Sequence, residues 1–250
     1  MSQSPIHRVL SILRTHRIRA LLMGGQACIL YGGAEFSRDV DLAILADNRN
    51  LSRLRAALAE LRAVQVFVPA LSRDVLLRGH ACHFRCGRSG VEGLRIDVMS
   101  VLHGCDPFEQ LWRRRKTLTL SGVGRLHLLS LLDLVRAKKT QRDKDWPMIR
   151  RLVEADYHRR ASRPSRAEIV FWLRELRTSE VLVALCRRYG APARRLVAIR
   201  PALRPALRGD RAGVERALQA EQNTARASDR QYWAPLRAEL ARWRRKRTRP

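Results

Sequence analysis

The chain has 250 residues, of which 46% are hydrophobic, and its 50 Lys+Arg against 23 Asp+Glu leave a formal net charge of +27. That length buries one large core or two modest ones, and the composition is that of a folded chain. Five cysteines at irregular spacing argue against a secreted disulfide framework, no run reaches the roughly 18 apolar residues of a membrane helix, and the charge points to a polyanionic partner, nucleic acid being the commonest.

Ile6, Val9, Leu10 and Leu13 fall on one face of a predicted helix over 5–16. Basic residues interrupt its apolar positions, so no secretory leader is read here and a cytoplasmic location is expected. Arg19 to Met23 predicts a buried strand that stops at Gly24-Gly25, followed by a helix from Gln26 to Tyr31 that ends at Gly32-Gly33. Val40, Leu42, Ile44 and Leu45 predict a second strand, residues 51–61 a helix, and VQVFV at 64–68 a third strand. Residues 83–99 read as two strands joined by a glycine-containing turn. Alternating strands and helices indicate a sheet with helices packed on it.

After about residue 128 the pattern becomes helical. LLSLLDLVRAKK and DKDWPMIRRLVEADYHRR predict two helices, and Ser165 with Glu168 three residues on forms a capping box for a third. A fourth runs from Thr178 to Tyr189 and is closed by Gly190. Prolines 201 and 205 mark an irregular stretch, with helical segments near 211–222 and 229–246. The expectation is an α+β chain, with a sheet domain over 1–128 and a basic helical domain over 129–250.

Three pieces of the sheet domain carry chemistry. Gly24-Gly25 stands at a strand end, where paired glycines let the backbone approach a phosphate closely. Asp39-Val40-Asp41-Leu42 follows after thirteen intervening residues; on a strand its two carboxylates share a face while Val40 and Leu42 enter the core. Asp97, between Ile96 and Val98, is a third carboxylate on a predicted strand. Three carboxylates on one face form a hard oxygen site suited to Mg²⁺.

In order, spacing and strand context these residues resemble the signature of the DNA polymerase β-like nucleotidyltransferase superfamily, over roughly residues 18–145. Within it the chain is similar to minimal bacterial nucleotidyltransferases, including those of the abortive-infection toxin type. The resemblance implies a mixed sheet with flanking helices and a metal site of Asp39, Asp41 and Asp97 holding Mg²⁺ or Mn²⁺. It implies that an NTP such as ATP is bound by Gly24 and Gly25, by Ser37 two positions before the first Asp, and by Lys138, Lys139 and Arg142 of a helical fourth motif. Ser37 is followed by Arg38, a departure that leaves the role of Arg38 open.

Plainer readings stand beside these. Paired glycines serve turns and caps, and Lys138 and Lys139 also suit a solvated helix face. Asp143 and Asp145 suit a helix start. His80, Cys82, His83 and Cys86 lack the spacing of a zinc site, since Cys82 and His83 would face opposite ways on a strand. Trp112, Trp146, Trp172 and Trp233 fit helical packing, and the terminal WRRKR a solvated tail. The expected function is metal-dependent transfer of a nucleotide from an NTP to a macromolecular acceptor, RNA being favoured by the charge. A toxin–antitoxin or defence setting with a cognate partner protein follows from the resemblance alone. The competing reading is an inactive nucleotidyltransferase-fold protein that only binds nucleic acid.

Overall fold

Residues 4–34 and 36–247 are described by the computed structural model, and the chain divides into two units. The first spans Met1–Leu30, Glu35–Ala137 and Tyr232–Pro250; the second spans Tyr31–Ala34 and Lys138–Gln231.

The first unit opens with α1 (Pro5–Thr15), capped by the Ser4 hydroxyl, which accepts from the His7 N–H at 3.3 Å. Pro5 suits the first turn because its missing N–H would have no helical partner there. β1 (Ala20–Met23) runs directly into α2 (Gly24–Leu30), and β2 (Asp39–Ile44) follows. Asp47 caps α3 (Asn48–Glu60) by accepting from the Asn50 N–H at 2.6 Å. Asn50 is itself buried; it donates to Arg19 O and Leu45 O and accepts from Arg19 N, tying α3 to the ends of β1 and β2. Then come β3 (Val64–Gln65), α4 (Arg73–Leu77), β4 (Cys82–Arg85), β5 (Arg95–Met99), α5 (Phe108–Arg113), β6 (Lys116–Leu120), β7 (Gly124–Leu128) and α6 (Leu131–Ala137).

The strands form one mixed sheet in the order β3-β4-β5-β2-β1-β7-β6. β2 pairs parallel with β5 and antiparallel with β1, while β1 pairs parallel with β7. The β3/β4, β4/β5 and β6/β7 pairs are antiparallel. Alternation along β2 and β5 buries Val40, Leu42, Ile96 and Val98 on one face and sends Asp39, Asp41, Arg95 and Asp97 to the other. The expected α+β class, a mixed sheet with flanking helices followed by a helical region, is what is observed.

The second unit is helical: α7 (Asp145–Arg160), α8 (Arg166–Glu175), α9 (Ser179–Arg188), α10 (Gly190–Leu196), α11 (Leu203–Leu207) and the first part of α12 (Arg211–Arg247). The capping box at Ser165 and Glu168 is complete, with both reciprocal bonds formed. Trp172 is fully buried and donates its ring N–H to Asp156 at 3.0 Å. Arg200, also buried, donates to Leu173 O and Leu176 O, answering carbonyls that the end of α8 leaves unpaired.

Several expectations change. Of the third strand only Val64 and Gln65 are in strand register with β4; the Val66 N–H still donates to His83 O at 3.0 Å, and the Gln65 side chain donates to Phe67 O and Pro69 O in the irregular chain that follows. The β6/β7 hairpin and helices α4 and α5 were not anticipated. Gly190 opens α10 rather than closing α9. The two terminal segments are one helix that continues through Pro235, whose ring removes a single backbone donor without ending it. Strand β7 ends at Leu128, and α6 and the chain from Tyr232 onward group with the sheet unit.

Candidate active site

Asp41 on β2 is the direct cross-strand partner of Asp97 on β5, and Asp39 is the partner of Arg95. Neighbouring strands lie about 4.8 Å apart, so all three carboxylates rise from one patch of one sheet face. The buried residues between them, Val40 and Ile96, hold this register: a slip by one residue would bury the acids and expose the core.

The glycine pair lies against this patch. Met23, the last residue of β1, is the cross-strand partner of Asp41, which brings Gly24 over the Asp41 side chain. Gly24 has φ +64, and a Cβ there would lie 1.8 Å from Asp41 Oδ2. At Gly25 a Cβ would lie 2.3 Å from Ser37 Oγ. The Gly25 N–H donates to Asp41 Oδ2 at 3.4 Å, and Ser37 Oγ donates to Asp39 O at 3.4 Å. Gln26 fixes the approach to β2 by donating to Ser37 O at 3.0 Å. Gly24, Gly25, Ser37 and Asp41 are therefore brought together, and the absent side chains make room for a carboxylate and a hydroxyl.

Asp97 has different company. His83 Nδ1 stands 2.8 Å from its Oδ1, and Arg95 Nη2 lies 2.9 Å and 3.2 Å from its two oxygens. Burial would raise the Asp97 pKa, but the His83 hydrogen bond and the charges of His83 and Arg95 outweigh it and hold the group below the ordinary carboxylate value. Asp39 makes no side-chain hydrogen bond or ion pair among the described residues. Both Asp39 and Asp41 are half-buried.

Among the described residues no three His, Cys, Asp or Glu side chains are grouped to hold a metal ion. The donor set nevertheless fits a hard divalent cation, because the register delivers oxygen ligands to one patch. Asp39 and Asp41 are the two acids on one strand, and Asp97 would join them by leaving Arg95.

The remaining expected residues lie in the helical unit, where each is engaged. Lys138 Nζ is 3.1 Å and Arg142 Nε 2.8 Å from the buried Asp145, which also accepts from Thr140 Oγ1 at 2.6 Å. Lys139 Nζ is 2.7 Å from Glu175. Asp143 is exposed and meets Arg226 at 2.7 Å. Arg38 lies over the exposed ring of Phe36, 5.5 Å from its centre. The four zinc-like residues stay apart in chemistry: burial pushes the Cys82 thiol up to about 12 and Cys86 up to about 11, and His80 pairs with Glu239 at 2.7 Å.

Three site residues were not singled out as such from sequence: His83, Arg95 and Phe67. Arg95 stands two before Asp97, so strand alternation alone places both on one face. His83 reaches Asp97 through the β4/β5 register, which no local pattern encodes. Phe67 is 45% exposed and meets the His83 ring edge-on with centres 5.8 Å apart, leaving an aromatic surface beside the patch.

No helix among the described residues is long and apolar enough to cross a membrane. No protein-family model matches the chain, and no curated protein matches it either. Among solved structures it is similar to a candidate nucleotidyltransferase from H. pylori at 12% identity and a TM-score of 0.37, covering 90% of this chain and 97% of that one. It is also similar to JHP933 from Helicobacter pylori at 12% identity and a TM-score of 0.34, covering 92% and 93% of the two chains.

Proposed function

We propose that the chain is a metal-dependent nucleotidyltransferase that moves a nucleotide from an NTP to an RNA acceptor. The observation that supports this most is the β2/β5 register, which aligns Asp41 with Asp97 and puts Asp39 on the same face. A bound Mg²⁺ or Mn²⁺ pair would supply Lewis-acid activation of the α-phosphate and of the attacking hydroxyl. Asp39 and Asp41 would hold it, with Asp97 as the third ligand.

The chain's own residues account for the rest. The acceptor oxygen forms a bond to the α-phosphorus, the bond from that phosphorus to the bridging oxygen breaks, and pyrophosphate leaves with its electron pair. The acceptor proton passes to Asp97, a carboxylate that His83 orients through its hydrogen bond. Gly24 and Gly25 keep the backbone low enough for the triphosphate to approach Asp41. Phe67 offers a surface on which a base can stack. The excess of basic over acidic residues favours an RNA acceptor, and binding to it should weaken steeply with salt. A role for Lys138, Lys139 and Arg142 at the pyrophosphate requires them to leave Asp145 and Glu175, and a place in a toxin–antitoxin system rests on the resemblance alone.

One observation favours a second reading, a scaffold that binds RNA without transfer: the Asp97 carboxylate is already taken by His83 and Arg95. Incubation of the protein with each α-labelled NTP, Mg²⁺ or Mn²⁺ and total RNA separates the two. Label should enter RNA with the native chain and fall by at least about a thousandfold in Asp39→Asn with Asp41→Asn, about 4 kcal/mol of transition-state stabilisation. Salt-sensitive RNA binding with no label under any NTP would establish the second reading.

A further inference from the structure

The opposite face of the same sheet carries a second site. Leu22, Leu42 and Leu126 floor a cleft of about 280 Å³. Leu22 is the cross-strand partner of Leu42, one position away from the pair Met23 and Asp41, so alternation puts the floor of this cleft on the face that the three acids do not occupy, while Arg125 and His127, which alternate with Leu126 on β7, line its rim. Its rim is basic: Arg14 from the end of α1, Arg17 and Arg19 from the turn into β1, and Arg125 from β7. Arg19 is paired with Glu109 at 2.9 Å and 3.0 Å. Among the described residues no carboxylate pairs with Arg14, Arg17 or Arg125, and all three are exposed.

One wall is aromatic. Trp112, partly exposed, has the Arg19 guanidinium 5.0 Å and the Arg115 guanidinium 4.3 Å from its ring centre, with the His127 ring at 4.8 Å. Burial, and then the charges of Arg115 and Arg125, lower the His127 pKa; its Nδ1 accepts from Arg115 Nε at 3.3 Å, which leaves the Nε2 N–H as a donor. An apolar floor, a flat aromatic wall and three uncompensated guanidinium groups are the requirements of a ligand with a planar apolar part and a phosphate. An aliphatic anion would leave the wall unused, and a neutral aromatic would leave the three charges unanswered.

We infer that this cleft binds a nucleoside monophosphate unit, its base against Trp112 and its phosphate on Arg14, Arg17 and Arg125. The unit can be a free nucleotide or one residue of an RNA strand. The site shares no residue with the acidic patch, so either can fail without the other.

The test uses the full chain in EDTA, with fluorescence anisotropy of etheno-AMP and of a labelled oligo(rA). Arg14→Ser with Arg125→Ser changes two exposed side chains and should leave the fold intact by circular dichroism. It should weaken binding at least about tenfold. Arg166→Ser with Arg216→Ser removes the same charge from the helical unit and should leave binding unchanged, as should Asp39→Asn with Asp41→Asn. Ribose 5-phosphate, lacking the base, should compete at least about tenfold less well than AMP. Binding of etheno-AMP alone supports a free nucleotide as ligand; binding of the oligonucleotide, with the same sensitivity, supports a strand. The inference is overturned if neither probe binds, if the two double-arginine variants weaken binding equally, if the aspartate variant abolishes it, or if ribose 5-phosphate competes as well as AMP.

Discussion

Two clusters in this protein join acids to bases, and they differ in how completely the acids are answered. In the helical unit Asp145 is almost wholly buried and accepts from Lys138, Thr140 and Arg142, so its oxygens are matched by donors. In the sheet unit Asp39 stands half-buried with no side-chain hydrogen bond or ion pair among the described residues, despite a chain rich in arginine. A saturated carboxylate stabilises the fold. An unanswered carboxylate is a cost that persists where something else completes it, which in the proposed function is a cation.

Substitution should separate the two most sharply through stability. Asp145→Asn leaves Lys138, whose side chain is only 13% exposed, as an uncompensated buried charge, while Arg142 at 56% can turn to solvent. The expected loss is about 3 kcal/mol, the lower end for breaking a buried pair, seen as a lower urea midpoint by far-ultraviolet circular dichroism. Asp39→Asn, at the carboxylate with no side-chain partner among the described residues, should leave that midpoint where it was or raise it, because it removes one of the like charges on that face. A large loss of stability in the second variant, or none in the first, would erase the distinction.

How far this contrast was legible in the sequence depends on the interaction. Alternation of Val40 and Leu42 with Asp39 and Asp41, and of Ile96 and Val98 with Asp97, declares which face each acid takes, because burial of one face fixes the period. The same rule read from sequence places Arg95 beside Asp97. It says nothing of His83, whose partner depends on how β4 docks on β5. Nor does local pattern distinguish Asp145 from a helix-start acid in water: its burial comes from packing of α7 and the loop before it, so Lys138, Lys139 and Arg142 look available when they are engaged. The long α12 was missed for the opposite reason. The polar stretch over 223–228 reads as a break between two segments, while the helix runs on from Arg211 to Arg247.

A subtler probe lies in the glycine turn. Gly24→Ala introduces a methyl group where Asp41 Oδ2 sits, at a backbone angle that L-residues rarely adopt. The conformational part should cost about 1 kcal/mol, and the methyl must also displace the carboxylate. Transfer should therefore fall far more than stability, perceptible as a drop in kcat with a melting temperature lowered by only a few degrees. Gly33→Ala, where the new methyl would meet Leu152 in the helical unit at 2.6 Å, should do the reverse and lower stability while sparing kcat.

The smallest expected effect is the pH dependence that the saturated cluster contributes. Burial alone would raise the Asp145 pKa, but Lys138, the Thr140 hydroxyl and Arg142 outweigh it, so its folded value lies below that of the unfolded chain. A depressed carboxylate contributes stability that is full above the unfolded value, about 3.9, and is lost as pH falls through the folded one. A protonated aspartic acid resembles asparagine in shape and in having one donor and one acceptor. The difference in urea midpoint between the native chain and Asp145→Asn should therefore be constant from pH 7 to about 5 and close progressively below about 4. Were the gap to widen on acidification, Asp145 would have to be held protonated in the folded state, and its partners would then be acceptors rather than the two cations beside it.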